Sequence, residues 1–272
     1  MLKTRIILFA VGAILICLIF LLPKVVVENE SQLAAGPEAS DMNAEKTSAS
    51  HASPSQDILK TIKELRALYV SGTEDQKNTI FADSLADLYM RAGQFDSAAW
   101  FAEEAATFFN TQESFMKAGN SYYEAYTFAM DPEKRDLLAT KTRDFLGKVL
   151  EKDPKNHEVK AKMAMTYLSS ASPMQGIMML REILVDDPKN ETALFNMGIL
   201  SVQSGQYDKA IERLLALTEV NPNHVQGQLL LGVAYMNKGD KIKAKAQFEK
   251  VKKLDNDSSV LATVDSYLQD LK

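Results

Sequence analysis

Cysteine is almost absent: Cys17 stands alone among 272 residues. No disulfide and no cysteine-based metal site can form within one chain, and cysteine usage is silent on the redox compartment. Histidine is nearly as scarce. His51, His157 and His224 are scattered, HExxH and GxSxG do not occur, and no glycine-rich loop is spaced to cradle a phosphate. Catalysis needs an acid, base or nucleophile positioned in a pocket. These residues assemble none, so the sequence points away from an enzyme and implies no metal or cofactor. Cationic surplus is lacking too. Lys and Arg number 31 against 36 Asp and Glu, a net charge of −5. That leaves no basic stripe to neutralise phosphates, which argues against a nucleic-acid partner. Acidic pairs such as Glu103-Glu104 and Asp186-Asp187 read as solvated helix surfaces and ends.

What is present is repetition. Asp153-Pro154-Lys155-Asn156 recurs as Asp187-Pro188-Lys189-Asn190, then as Asn221-Pro222-Asn223 and Asp255-Asn256-Asp257, a period of 34 each time. A fixed period in the range of about 20–50 residues signals stacked supersecondary units, each burying its apolar face against its neighbours. His157 and His224 fall at these inter-repeat turns and read as turn residues in matching places.

The N-terminal stretch has a different character. Ile6 to Leu22 is an uncharged run of 17 residues, preceded by Lys3 and Arg5. At about 1.5 Å per residue it spans about 25 Å, the short end of a transmembrane helix. A cleaved signal peptide has a shorter apolar core, closely followed by a small-x-small site. Here the first small cluster, Ala34-Ala35-Gly36, lies well past the run. The expectation is an uncleaved anchor over 1–27. The flanking charges place its N-terminus in the cytoplasm and export the rest, which in a Gram-negative bacterium means an inner-membrane protein facing the periplasm. Residues 28–56 are rich in Ser, Ala, Glu and Asn and poor in large apolar side chains. They read as a flexible tether.

From residue 57 the pattern becomes helical. Ile58, Ile62, Leu65, Leu68 and Tyr69 predict an amphipathic helix over 57–70 that caps the first repeat. Leu85, Ala86, Tyr89, Gly93, Phe95, Ala98 and Ala105 predict two helices joined by a turn. Trp100 and Phe101 on the second read as core. Between 112 and 156 about 11 extra residues intervene. There Met130-Asp131-Pro132-Glu133 predicts an N-cap with Pro in the first turn: a long first helix to about Ala129, a turn, and a second helix from Pro132 to Glu151. Such extra length is expected to form a lobe on one rim. Val260, Leu261, Val264, Tyr267, Leu268 and Leu271 predict a closing helix over 259–271.

These units resemble tetratricopeptide repeats. The copy 191–224 carries Met197, Gly198, Gly205, Tyr207, Ala210, Leu214 and Pro222 at that family's offsets. The copy 225–258 carries Leu231, Gly232, Tyr235, Gly239, Ala244 and Phe248. In 157–190, Met163, Ala164, Tyr167, Leu180 and Pro188 fit, while Ala171 and Gly176 replace the usual turn Gly and packing Ala. The repeats 79–111 and 112–156 complete the set. The resemblance implies an all-α, right-handed solenoid of about five helix-turn-helix repeats over 57–272, with cap helices at both ends, preceded by the single transmembrane helix.

It also implies a site. In that family the first helix of each repeat lines a concave face. Carried over, the last three repeats contribute Ala161, Met165 and Leu168; Phe195, Ile199 and Val202; and Leu229, Val233 and Met236. The carboxylate clamp known in the family needs Lys and Asn at some of these places, so recognition of acidic chaperone tails is not expected. An apolar strip of this kind suits an amphipathic helix or apolar peptide. Met163, Met165, Met174, Met178 and Met179 make one repeat adaptable. The expected function is a membrane-tethered scaffold that binds a protein or peptide partner in envelope assembly or export. In architecture it is similar to an anchored ancillary translocon subunit and to repeat subunits of cytochrome c maturation. The rival reading is a structural component that self-associates as a homo-oligomer or joins an envelope complex. A third possibility, that the strip is simply core or is filled by the closing helix, stands beside both.

Overall fold

The computed structural model describes residues 54–72 and 74–272. The expected anchor over 1–27 and the tether up to residue 53 lie outside the described residues.

Capping side chains set the helix starts. Ser55 accepts from the Ile58 amide (3.3 Å) and opens α1, Gln56–Ser71. Next in the chain are α2, Asp75–Arg91, and α3, Phe95–Phe109. Asn110 closes α3 in the left-handed region (φ 50°), and Thr111 at once begins α4, Gln112–Phe128, through a reciprocal cap with Ser114. Asp131 accepts from the Lys134 amide at 2.7 Å and Pro132 sits in the first turn of α5, Pro132–Lys152. The missing proline N–H costs nothing there. The extra residues form no separate lobe. They are absorbed into α4 and α5, 17 and 21 residues long against 13 and 14 for the later pair α8, Glu191–Gln203, and α9, Tyr207–Val220. Between them stand α6, His157–Leu168, and α7, Pro173–Asp186; after them come α10, Val225–Lys238, α11, Lys241–Leu254, and α12, Ser258–Asp270. Among the described residues there are twelve helices and no strand. None of these helices is long and apolar enough to cross a membrane.

The repeated Asp-Pro-Lys-Asn turn has a common chemistry. Asn156 and Asn190 each accept from the amide three residues on, at 3.2 and 3.1 Å, while donating back to Asp153 and Asp187 at 3.1 and 3.2 Å. One side chain thus caps the next helix and clips the turn shut. At the third copy His224 takes the capping role through Nδ1, 3.0 Å from the Gly227 amide. His157, by contrast, is the first residue inside α6, with Nε2 3.5 Å from Asp186. The two histidines therefore sit one position apart in the repeat, not in matching places.

Second helices build the spine. Leu146, Leu180, Leu214 and Phe248 recur at a period of 34, as do Val149, Ile183, Leu217 and Val251, and all are fully buried. Successive helices pack chiefly on their chain neighbours, and the first helices α8 and α10 also touch directly. At the C-terminal end α12 packs on α11, with Val264 buried and Tyr267 stacked on Phe248 at 5.1 Å. At the other end α1 packs on α2 and buries Ile62. Phe101 is core, stacked on Tyr89 at 5.4 Å. Trp100 is not: it is half exposed and meets Tyr69 of α1 edge-on. Adjacent helix residues point about 100° apart, so one faces the hairpin seam and the other leans outward.

Candidate functional site

The nine residues expected to line a concave face divide in the structure. Ala161 is 3% exposed and belongs to a buried cluster with Ala164, Leu180, Ile183, Ala193 and Met197, so it is core and offers a partner no surface. The other eight are half-buried. On α8 the spacing of Phe195, Ile199 and Val202 at i, i+4 and i+7 keeps them on one stripe, beside the fully buried Leu194, Met197 and Gly198. Leu229, Val233 and Met236 repeat that stripe on α10. The ring of Phe195 lies 4.9 Å from that of His224, so the residue capping α10 also supports the stripe of α8. Met165 and Leu168 continue it on α6, where the Met165 carbonyl accepts from the Tyr126 hydroxyl at 3.2 Å.

Toward the N-terminal end the same face changes character. Applying the same offsets to the first two repeats gives Asp83, Asp87 and Met90 on α2, and Met116, Asn120 and Tyr123 on α4. These positions are legible by the rule that yields the later repeats' stripe. Lys117 on α4 bridges to Asp83 and Asp87 on α2, 2.8 Å from each. Lys162 on α6 donates to Asn120 on α4 at 2.8 Å and to Glu158 at 2.7 Å. That hydrogen bond and charge hold the Glu158 carboxyl below the usual carboxylate range. Tyr123, on α4, has its phenol pushed up by burial, with Tyr126 and Glu124 adding to it. Between α2 and α4 an open cleft of about 940 Å³ is lined by Asp87, Met90, Glu113, Met116, Lys117 and Asn120 among others. The face is therefore polar and ion-paired at one end and apolar at the other.

The five methionines of the 157–190 repeat do not share a face. Met163 is buried, Met165 and Met179 are half-buried, and Met174 and Met178 are exposed on α7. Among the described residues no group of three His, Cys, Asp or Glu side chains is placed to hold a metal ion.

This packing, helical hairpins stacked at a fixed period with ladders of matching seams, defines a helical-repeat protein. Residues 164–259 match the tetratricopeptide repeat family, a match that covers the last repeats of the array. No curated protein matches it significantly. Among solved structures it is similar to a tetratricopeptide repeat protein from Parabacteroides merdae, with 17% identity, a TM-score of 0.60, and coverage of 79% of this chain and 82% of that one. It is also similar to MamA, with 20% identity, a TM-score of 0.52, and coverage of 65% and 91%. At such identities the likeness shows the fold alone.

Proposed function

We propose that this chain is a non-enzymatic scaffold, tethered to the inner membrane by residues 1–27, with about five repeats in a right-handed array on the periplasmic side. The first-helix face binds a partner protein there. The observation that carries this reading is the half-buried stripe Phe195, Ile199, Val202, Leu229, Val233 and Met236 on two helices in direct contact. A purely structural seam would bury these side chains as completely as it buries Leu214 or Phe248. The closing helix α12 packs on α11, which supports a stripe left open to a partner. An amphipathic segment laid along the stripe would bury its apolar face there and meet the ion-paired end at α2 and α4 with polar groups. Envelope assembly or export is the process such a tethered scaffold suits.

The test is affinity purification from detergent-solubilised membranes after crosslinking in cells, with wild type beside Phe195→Asp shown to be folded by circular dichroism. A defined partner set that disappears with the variant supports the reading. Identical partners from both would sink it. A constant self-stoichiometry in wild type, lost in the variant, would favour the structural, self-associating role instead.

A further inference from the structure

A smaller cavity, about 320 Å³, lies where α7, α8 and α9 meet. None of the nine stripe residues lines it. Its wall holds Arg181 of α7 and Lys209 and Arg213 of α9, and no Asp or Glu. Three cations around one cavity are anomalous in a chain with a net charge of −5, because like charges repel and normally recruit carboxylates. Here the nearby carboxylates are engaged elsewhere. Glu182, next to Arg181, pairs with Lys160 at 3.3 Å. Asp208, next to Lys209, pairs with Lys238. Only Glu212, next in sequence to Arg213, adds a favourable field. Among the described residues none of the three cations makes an ion pair.

Arg213 is anchored rather than free. Its Nη1 donates to the Met197 carbonyl at 3.1 Å and to the Ser201 hydroxyl, which leaves the donors on Nη2 and Nε uncommitted. Burial, with Arg181 adding to it, pulls its pKa below the ordinary arginine value, while Glu212 acts the other way. Lys209 is steadied by Gln206, whose Oε1 it meets at 2.8 Å, and Gln206 in turn donates to the Ser204 hydroxyl. The floor is apolar, formed by Ile177, Met197 and Leu200.

We propose that this junction is a binding site for a phosphate monoester carrying a small apolar body. A phosphate monoester bears a charge of about −1.5 to −2 at neutral pH and presents three acceptor oxygens. Guanidinium forks match those oxygens bidentately. The apolar body would rest on Ile177, Met197 and Leu200. The volume lies at the low end of small-ligand sites, about 300–1,000 Å³, which suits one ring or a short chain beside the phosphate. The same chemistry could reach the site as a free small molecule or as a phosphorylated aromatic side chain of a partner.

The experiment titrates the full-length chain in detergent micelles with phenyl phosphate, inorganic phosphate and benzyl alcohol at matched ionic strength, read by calorimetry. Phenyl phosphate is expected to bind at least about tenfold tighter than inorganic phosphate, and benzyl alcohol not at all. Arg181→Gln, at an exposed position, should weaken phenyl phosphate about tenfold, the scale of one lost charge-assisted hydrogen bond. Lys209→Gln, also exposed, should weaken it in the same direction and guards against a folding artefact in the first variant. A phosphotyrosine peptide that binds tighter than phenyl phosphate identifies a partner side chain as the source, and one that is excluded identifies a free small molecule. Binding unchanged by both substitutions, or no discrimination between phenyl phosphate and benzyl alcohol, overturns the proposal.

Discussion

A β-carbon placed on Gly176 would stand 2.5 Å from the carbonyl oxygen of Ala164. In the two following repeats the small residues are reversed: Gly198 and Gly232 sit on the first helix, opposite Leu214 and Phe248, while Ala210 and Ala244 sit on the second. The third repeat keeps the same close helix approach with the glycine moved across the seam. Gly176→Ala should therefore destabilise the chain by about 2 kcal/mol, the overpacking cost outweighing a helix-propensity gain of about 1 kcal/mol. Gly147, on α5, is the control, since a β-carbon added there would meet nothing within 4 Å. Gly147→Ala should stabilise by about 0.5–1 kcal/mol. Guanidinium unfolding of the two variants checks both signs.

The caps at the repeated turns are worth a measurable amount. Asn190→Ala removes the acceptor of the Ala193 amide and the donor to Asp187 together. The expected loss is about 1–2 kcal/mol, at the upper half of the range for cap substitutions. A loss indistinguishable from zero in thermal unfolding would mean that water replaces the cap.

Stability should fall at both ends of the pH scale. Glu158, held low by the Lys162 hydrogen bond and charge, and Asp257, held low by Ser259 and the Val260 amide, bind protons less readily in the folded chain. Their contribution is present above the ordinary carboxylate range and is lost as pH falls below about 4. Tyr122 is shifted the other way, pushed up by burial and by the Glu103 carboxylate. Its contribution is complete below about pH 10 and is lost as pH rises beyond that. Denaturation midpoints followed from pH 3 to 11 should bend down at both ends. Tyr122→Phe should lessen the alkaline bend, to which the raised Tyr123 phenol also contributes, and leave the acid bend unchanged.

Val233 separates the binding stripe from the core. Val233→Asp should keep the helical circular dichroism signal while abolishing partner recovery. Loss of the helical signal would instead show that the stripe is structural.

The tether predicts fractionation. Full-length chain should stay with membranes through alkaline carbonate extraction. Protease should reach the repeats only after the outer membrane is opened. Release into the supernatant would remove the anchor from the reading.

Much of the fold was legible because its signals are local. Asp131 and Pro132 announced the start of α5, and the Asp-Pro-Lys-Asn turns announced the period, since caps and turn residues act within four positions of themselves. The lobe expected from the extra residues failed to form because helices of any length satisfy their own backbone. Lengthening α4 and α5 costs less than building a new loop with unpaired amides. The polar end of the first-helix face was within reach of the same offsets, but these were carried onto the last three repeats alone.

The sequence by itself determined the helices, their period and the seam ladders of Leu146, Leu180, Leu214 and Phe248, since periodicity alone dictates which face each helix must bury. Tertiary structure decided the rest. Whether Ala161 is core or surface, which lysine each carboxylate answers, and that Arg181, Lys209 and Arg213 converge on one cavity depend on how three helices meet. Those side chains are up to 32 positions apart in the chain, and only packing brings them within reach of one another.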